Sequence, residues 1–520
     1  MKNIWLSLFL VSGLLITGCD KNFEEINTDP NKLTPASMNY NFVFTSAQLI
    51  TSGNSDGNAY EDWRNNLIYA SCMVQHLAST TGYWAGDKYT FNAGYNSAYW
   101  DNNFPNSIKN IVDVVANLKD DPTQANFYQI ARIFKVYAFQ RMTDMYGDIP
   151  YTEAGIGYLA NTTSPKYDKQ QEIYNNFLSE LEDAASKLST SALNTVGKAD
   201  LMYQGDPAKW KKFAYSLMVR VAMRLSKVDP DKAKTWVAKA VAGGVMASNA
   251  DNALISHETI EAQQPTNNGN GWVLAGVDPD ASRLSNTFVT YLKSNNDPRL
   301  TYLGAVSTNP GDVEDLGDSD PAIQLGMPNG YDNGGTSTNI SNAPNWPGSR
   351  NKYSIVNRET FARKNAETFV LTYSATQLLL AEAAQRGWIT GTAATFYTNG
   401  VTAAMKQLNQ VGAKPGVSDA EAAAYLAAHP YSAATGLEQI NTQYWVATFM
   451  DEIEAWSNWR RSDFPKLTPV VYLGNITNGT IPWRFTYPTG EVAVNQANYT
   501  AGVAGLTNGD KMNSKMWWDK

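Results

Sequence analysis

The residues in this chain whose types suit ligand chemistry are aromatic ones set in polar, glycine-punctuated stretches. Tyr83 and Trp84 stand in Thr81-Gly82-Tyr83-Trp84-Ala85-Gly86-Asp87, where the flanking glycines permit close approach. Trp272 follows Asn270-Gly271, and Trp346 lies in Pro344-Asn345-Trp346-Pro347. Each falls in irregular sequence, with no helical face in which to bury a ring. Indole and phenol pair a flat apolar face with a hydrogen-bonding edge. Solvent-facing rings beside short polar side chains therefore suit a ligand with apolar C–H faces and a hydroxyl rim, such as a sugar. Asp87, Asn270 and Asn345 are the adjacent hydrogen-bond candidates. The competing use of each ring is to pack its own loop.

Catalytic chemistry finds less support. Gly53-Asn54-Ser55-Asp56-Gly57 matches G-x-S-x-G, but that nucleophile motif needs a buried strand before it and a helix after it. Here it follows a helix-like run in a polar loop. His76, His257 and His429 are scattered, and His257-Glu258 has no second histidine in zinc-protease spacing. No cofactor fingerprint is present. A glycosidase pair among the 49 acidic residues is the enzymatic alternative. The acidic run Asp312, Glu314, Asp315, Asp318, Asp320 lacks EF-hand spacing and reads as a solvated loop.

A net charge of −8, with no basic run, argues against nucleic acid and anionic lipid as partners. The chain carries 15 Trp and 28 Tyr against 3 His, which tilts its surface chemistry towards stacking. At 520 residues and 43% hydrophobic content it can build a large core without disulfides. Cys72 lies in an apolar helical pattern and reads as a small core residue.

The elements that must position these residues begin with an export signal. Residues 1–18 combine Lys2, a short apolar run and small residues before Cys19, the pattern of a cleaved signal rather than a membrane span. Ile16-Thr17-Gly18-Cys19 looks like a bacterial lipobox, which makes Cys19 a lipidated first residue. Residues 19–38 read as an extended linker, and 39–520 as a single domain. Helical periodicity is expected near 39–51, 60–79, 106–118, 123–145, 169–188, 206–226, 229–243, 375–386 and 392–410, and as one long helix over 438–459. Residues 80–105 read as loop. The pairs within 106–243 and 370–410 resemble tetratricopeptide hairpins in length, about four in all. Residues 248–369 lack sustained periodicity yet are rich in aromatics, and read as a folded irregular insertion. Trp100 is expected to staple a hairpin. Trp456, Trp459, Arg460 and Arg461 close a helix, where cations complement its carboxyl end.

Several phrases, in order along the whole chain, resemble the SusD/RagB-like family of outer-membrane nutrient-binding lipoproteins. They are CDKNFEEINTDPN, MYGDIPYTEA, NNDPRLTYLG, FVLTYSATQLLLAEAAQRGW, QINTQYWVATFMDEIEAWSNWRRSDFPKL, IPWRFTYPTGEVAVN and MNSKMWWDK. The resemblance implies a mainly α fold of tetratricopeptide-like hairpins with an irregular ligand-facing side and few short strands. It implies a protein without enzymatic activity that binds oligosaccharide, or in some relatives peptide. It further implies a SusC-like TonB-dependent transporter as partner, and anchoring in outer-membrane lipid through acylated Cys19, facing the cell exterior. Residues 20–25 match the surface-export signal of that group loosely.

Overall fold

Helices begin where the sequence offers caps. In the computed structural model, residues 38–53, 62–258, 266–412 and 414–519 are described. Cys19 with its signal and linker, and residues 54–57 of the G-x-S-x-G match, lie outside them. The first helix, α1, is Tyr40–Thr51, followed by a π-helical segment Asp62–Ser71 and the two-residue strand β1, Leu77–Ala78. The 80–105 stretch is not all loop. Asn92 accepts from Tyr95 N and starts α2, Ala93–Asn102. A π-turn leads from it into α3, Lys109–Leu118.

Helix α4, Ala125–Tyr146, was expected to bury one face but is buried nearly all round. It is sandwiched between α3 and the helices that follow, so even Arg132, Gln140, Arg141 and Asp144 are interior. After strands β2 (Ile149–Pro150) and β3 (Tyr167–Asp168) come α5, Gln170–Lys187, α6, Pro207–Arg224, and α7, Pro230–Gly243. Asp206 and Asp229 cap α6 and α7 ahead of their first-turn prolines, as their sequence predicts.

The insertion is irregular but well built. It holds β4 (Ala253–Ile255), β5 (Arg283–Leu284), a short helix α8 (Asn286–Ser294), β6 (Gly304–Ala305), β7 (Ile355–Val356) and β8 (Thr368–Leu371). The strands pair two by two and antiparallel: β1 with β5, β2 with β3, β4 with β8, β6 with β7. Helices α9 (Tyr373–Gln385) and α10 (Ala393–Lys406) then form the next hairpin, followed by α11 (Asp419–Ala428), α12 (Gly436–Ala447) and α13 (Glu452–Ser462). Residues 41–520 form one compact unit, a mainly α fold with few, short strands.

The expected long helix over 438–459 is instead α12 and α13, broken at Thr448–Asp451. Met450 takes φ +73° there, and the exposed backbone groups are met by side chains from distant segments. Asn66 Oδ1 accepts from Glu452 N at 2.9 Å, and Asn66 Nδ2 and Asn270 Nδ2 both donate to the Met450 carbonyl at 3.1 Å. The Glu452 carboxylate accepts from Met450 N and lies 2.6 Å from His76 Nδ1.

Arg460 and Arg461 do not complement a helix end in solvent; both are buried. Arg461 makes a two-pronged pair with Glu382 of α9, both contacts 2.7 Å. Arg460 lies over the Trp456 ring and donates to the Asp144 and Trp483 carbonyls. In parallel, Arg224 of α6 reaches Glu454 of α13 at 2.6 Å, with Tyr444 donating to the other oxygen. Charge pairing thus locks α6 and α9 to α13, and Tyr444 ties α12 in by a hydrogen bond. Trp518 near the end of the chain is fully buried; Cys72 is buried and free, and burial pushes its thiol well up.

Burial alone would raise the Glu382 and Glu454 carboxyls, yet Arg461 for the first and Arg220 and Arg224 for the second bring them down to about 2. Their folded values lie below the unfolded value near 4.5, so their contribution is complete above that pH. It is lost as pH falls from about 4.5 to about 2. Equilibrium unfolding across that window should show a steep loss of stability, and Glu382→Gln should flatten it. Glu382→Ala, which strands Arg461, should cost about 3–5 kcal/mol in denaturant unfolding; a change under about 1 kcal/mol would show that the pair does not hold α9 to α13.

Candidate functional site

The aromatic loop is shaped by what lies beneath it. At Gly86 a Cβ would meet the Ile68 carbonyl oxygen and Tyr69 Cα at 2.4 Å, so only glycine lets the loop lie against the π-helical segment. Asp87 is fully buried and does not face a ligand. Its carboxylate accepts from Asn329 Nδ2 at 2.6 Å and Gly330 N at 2.8 Å, with Lys88 Nζ at 3.3 Å. Lys88 Nζ in turn donates to the Ser79 carbonyl. The buried pair stitches loop 79–90 to residues 329–330, a positioning role in place of the expected contact.

Trp84 is also corrected. Its ring is 0% exposed and cannot stack on a solute. It serves instead as a pedestal, its indole N–H donating to Asp278 Oδ2 at 3.0 Å. Trp63 Nε1 donates to the same oxygen at 3.1 Å, and Tyr83 Oη to Oδ1 at 2.7 Å. One carboxylate therefore fixes three rings. Burial, then the hydrogen bond to and charge of Asp278, push the Tyr83 phenol upward and keep it a donor. Tyr83 is 42% exposed, with its ring open to solvent. Arg64 lies 4.3 Å from the Trp63 ring and 5.2 Å from Tyr95, extending the aromatic surface.

A second part adjoins it. Pairing of β1 with β5 and the bond from Ser79 Oγ to the Ala281 carbonyl bring 278–283 beside the loop. Asp280 is clamped between Arg283, at 2.7 Å, and Arg350, which also reaches Thr80. Four residues before Arg350, Trp346 rests half-buried on Ala78, Met327, Ile340, Ala343 and Tyr353. Asn345 is exposed, in the left-handed region at φ +60°, with its amide unbonded among the described residues. A polar cleft of about 450 Å³ adjoins them through Asn329 and Tyr331, and also includes Gln75, Asn286 and Thr338.

Trp272 lies in the helical run that leads to Asp278, but Lys364 Nζ sits 5.0 Å above its half-buried ring. Asn270 is buried and spent on Asn66 and Met450. The structure thus brings Tyr83 and Trp346, with Asn345, to surfaces joined through Thr80, Asp280 and Arg350. Trp63, Asp278, Asp280 and Arg350 escaped the sequence reading. Trp63 sits in a helical-looking run, and Asp278 has no local signal apart from the glycine-containing turn before it.

Groups that could suggest other chemistry are occupied. His76 is enclosed by Phe288, Trp445 and Phe449 against Glu452. His257 bonds Thr266 and Thr368, and burial lowers its ring to about 4. In the acidic loop, Asp315 accepts from Asn309 N, Ser307, Thr308 and Gly317 N, which hold its carboxyl at about 2. Among the described residues no cluster of His, Cys, Asp or Glu is arranged to hold a metal, and no helix is long and apolar enough to cross a membrane.

A family model described as SusD-like, starch-binding and associating with the outer membrane, matches residues 35–488. The chain belongs to the SusD-like family. Among solved structures, a chitin-binding protein is 36% identical with a TM-score of 0.80, the match covering 92% of this chain and all of that one. A Bacteroidetes AC2a SusD-like protein is 30% identical, TM-score 0.79, over 93% of this chain and 100% of its own. A chitin-binding SusD homolog from Flavobacterium johnsoniae is 25% identical, TM-score 0.76, over 93% and 99%. No curated protein sequence matches.

The two adjacent aromatics should separate cleanly on substitution. Trp84→Ala removes a fully buried indole and should cost about 3–5 kcal/mol. Tyr83→Ala removes a half-exposed ring and one hydrogen bond to Asp278 and should cost about 1–2 kcal/mol, clearly less than Trp84→Ala. Thermal and denaturant unfolding of the two variants tests this, and equal losses would contradict the pedestal arrangement.

Proposed function

We propose that this SusD-like protein captures an oligosaccharide on the Tyr83–Trp346 surface and passes it to a SusC-like TonB-dependent transporter. The observation that carries the reading is the Asp278 carboxylate, which holds the exposed Tyr83 ring by its hydroxyl while also binding two indoles. A pyranose face placed on that ring gains stacking without ordering a mobile side chain. Trp346 supplies a second ring edge, while the Asn345 amide and the Asp280–Arg350 pair meet hydroxyl groups at the rim.

The ligand class is a chitin-type chain of β-linked acetamido sugars. Two of the solved structures similar to this chain bear the description chitin-binding, one of them a SusD homolog. Substituents that lie equatorially leave both flat faces of such rings free, which matches rings presented at separate points of one surface. The carboxylates here accept hydrogen bonds from fixed donors, an arrangement for binding rather than hydrolysis. In this reading residues 1–18 direct export, Cys19 carries the acyl chains, and residues 19–38 tether the body at the outer membrane. Tethering raises the effective ligand concentration near the pore.

Affinity gels and calorimetry with chitohexaose, maltohexaose and a peptide pool provide the test. Chitohexaose should bind without product formation, and Tyr83→Ala with Trp346→Ala should weaken binding about tenfold in a variant shown by circular dichroism to keep the wild-type helical content. Unaltered binding would remove this surface, peptide-only binding the glycan assignment, and released sugar the non-enzymatic reading. Cys19→Ser should move the protein from the membrane fraction to the soluble one. Co-purification of a barrel protein from native membranes tests the partner.

A further inference from the structure

A separate recess of about 270 Å³ lies where the end of α8 meets α10, α11 and α12, with Tyr291, Tyr397, Tyr425, His429 and Gln443 in its wall. Its polar groups are only partly paired with one another. The Gln443 amide donates to Tyr291 Oη at 3.0 Å and Tyr425 Oη at 2.9 Å, and accepts from Arg299 Nη2 at 2.7 Å. Both phenol oxygens therefore accept from Gln443. Tyr397 is 2% exposed, and its hydroxyl makes no hydrogen bond among the described residues. Arg299, also 2% exposed, spends Nε and Nη2 on Asp297, while Nη1 has no partner. Burial pushes all three phenols above their ordinary range, so they remain protonated donors. His429 Nε2 donates to the Asn295 carbonyl, which holds the imidazole against the Tyr425 ring at 4.6 Å.

The Tyr397 phenol is a donor in the wall with no protein acceptor among the described residues, and a ligand oxygen in the recess can supply one. Asp297 already neutralises Arg299, and Glu438 adds negative charge to the wall. An anion is therefore disfavoured, and a neutral carbonyl oxygen is the fitting acceptor. The volume is just under the ~300–1,000 Å³ usual for drug-sized ligands, which suits one ring and not a chain.

We propose that this recess is a second binding site, for a single uncharged ring bearing a carbonyl oxygen, of which an acetamido sugar is the natural class. Tyr397 donates to the carbonyl, and Tyr291 and Tyr425 face the ring, while Arg299 stays behind the wall and orients Gln443. The site is distinct from the aromatic loop, although α8 touches both regions. Asn286 and Thr287 at its start line the polar cleft beside the loop, and Tyr291 and Asn295 at its end line the recess. Nine residues of helix separate them by about 13 Å.

Saturation-transfer NMR and calorimetry on the full chain, with N-acetylglucosamine and glucose as probes, decide the matter. N-acetylglucosamine should still bind the Tyr83→Ala/Trp346→Ala variant, whereas glucose should bind at least about fivefold more weakly. Tyr397→Phe removes one hydroxyl without opening a cavity and should weaken N-acetylglucosamine about fivefold. Gln439→Trp, at the wall, should abolish binding by filling the space. Loss of all binding in the Tyr83/Trp346 variant would overturn the proposal, as would equal affinity for the two sugars. Wild-type affinity in Tyr397→Phe would do so too, even if Gln439→Trp failed to fold.

Discussion

A helix that breaks inside a protein leaves N–H and C=O groups that water cannot reach, and this fold is organised around meeting that demand. Between α12 and α13 the chain turns at Met450, and the orphaned groups are answered from the π-helical segment and the insertion. Asn66 and Asn270 are also bonded to each other at 3.0 Å. Three segments remote in sequence thereby converge on one point. Leaving such groups unmet costs about 1–3 kcal/mol each, so the convergence is strongly specified. Trp63 sits three residues from Asn66, and Trp272 two from Asn270. The aromatic surface is consequently registered on the helical scaffold by the same bonds that heal the break.

The second organising device is electrostatic. Buried arginines on α6 and α13 meet carboxylates on α13 and α9, with spare donors spent on carbonyls and tyrosines. Pairs of this kind add little net stability over an apolar core, but breaking one is expensive. Their use here is orientation: each guanidinium accepts only one planar geometry, which fixes helix rotation and register more tightly than aliphatic packing does. The site repeats the theme at its own scale. Asp278 gathers two indole N–H groups and a phenol, and Asp280 bridges two arginines.

Much of the helical frame was legible because amphipathic spacing and Asp-Pro caps are local signals. Asp206-Pro207 and Asp229-Pro230 place their helices within a residue or two. The α12–α13 break was not legible, because the side chain that satisfies its backbone, Asn66, lies nearly four hundred residues away. The role of Arg461 was misread for a related reason: a cation in a last turn looks like a dipole complement until Glu382 is placed beside it. Among the aromatics, sequence separates ring from ring poorly. Tyr83 and Trp84 are neighbours in the same loop, yet one is exposed and the other is entirely interior. Which of two consecutive side chains turns inward depends on Asp278 and on the close approach at Gly86, and both are tertiary facts.

That division of labour bears on affinity. A surface meant to capture a solute and then release it must gain enough from stacking to hold, yet not so much that transfer stalls. Rings pinned from below lose no rotamer entropy when a sugar settles, so modest contacts suffice. Their outer faces stay open, so few bonds need break on departure. A deep pocket lined by Trp84 and Asp87 would bind more tightly and let go more slowly. By burying those two as support and presenting Tyr83 alone, the loop favours rapid exchange, which is what the proposed delivery to a transporter would require.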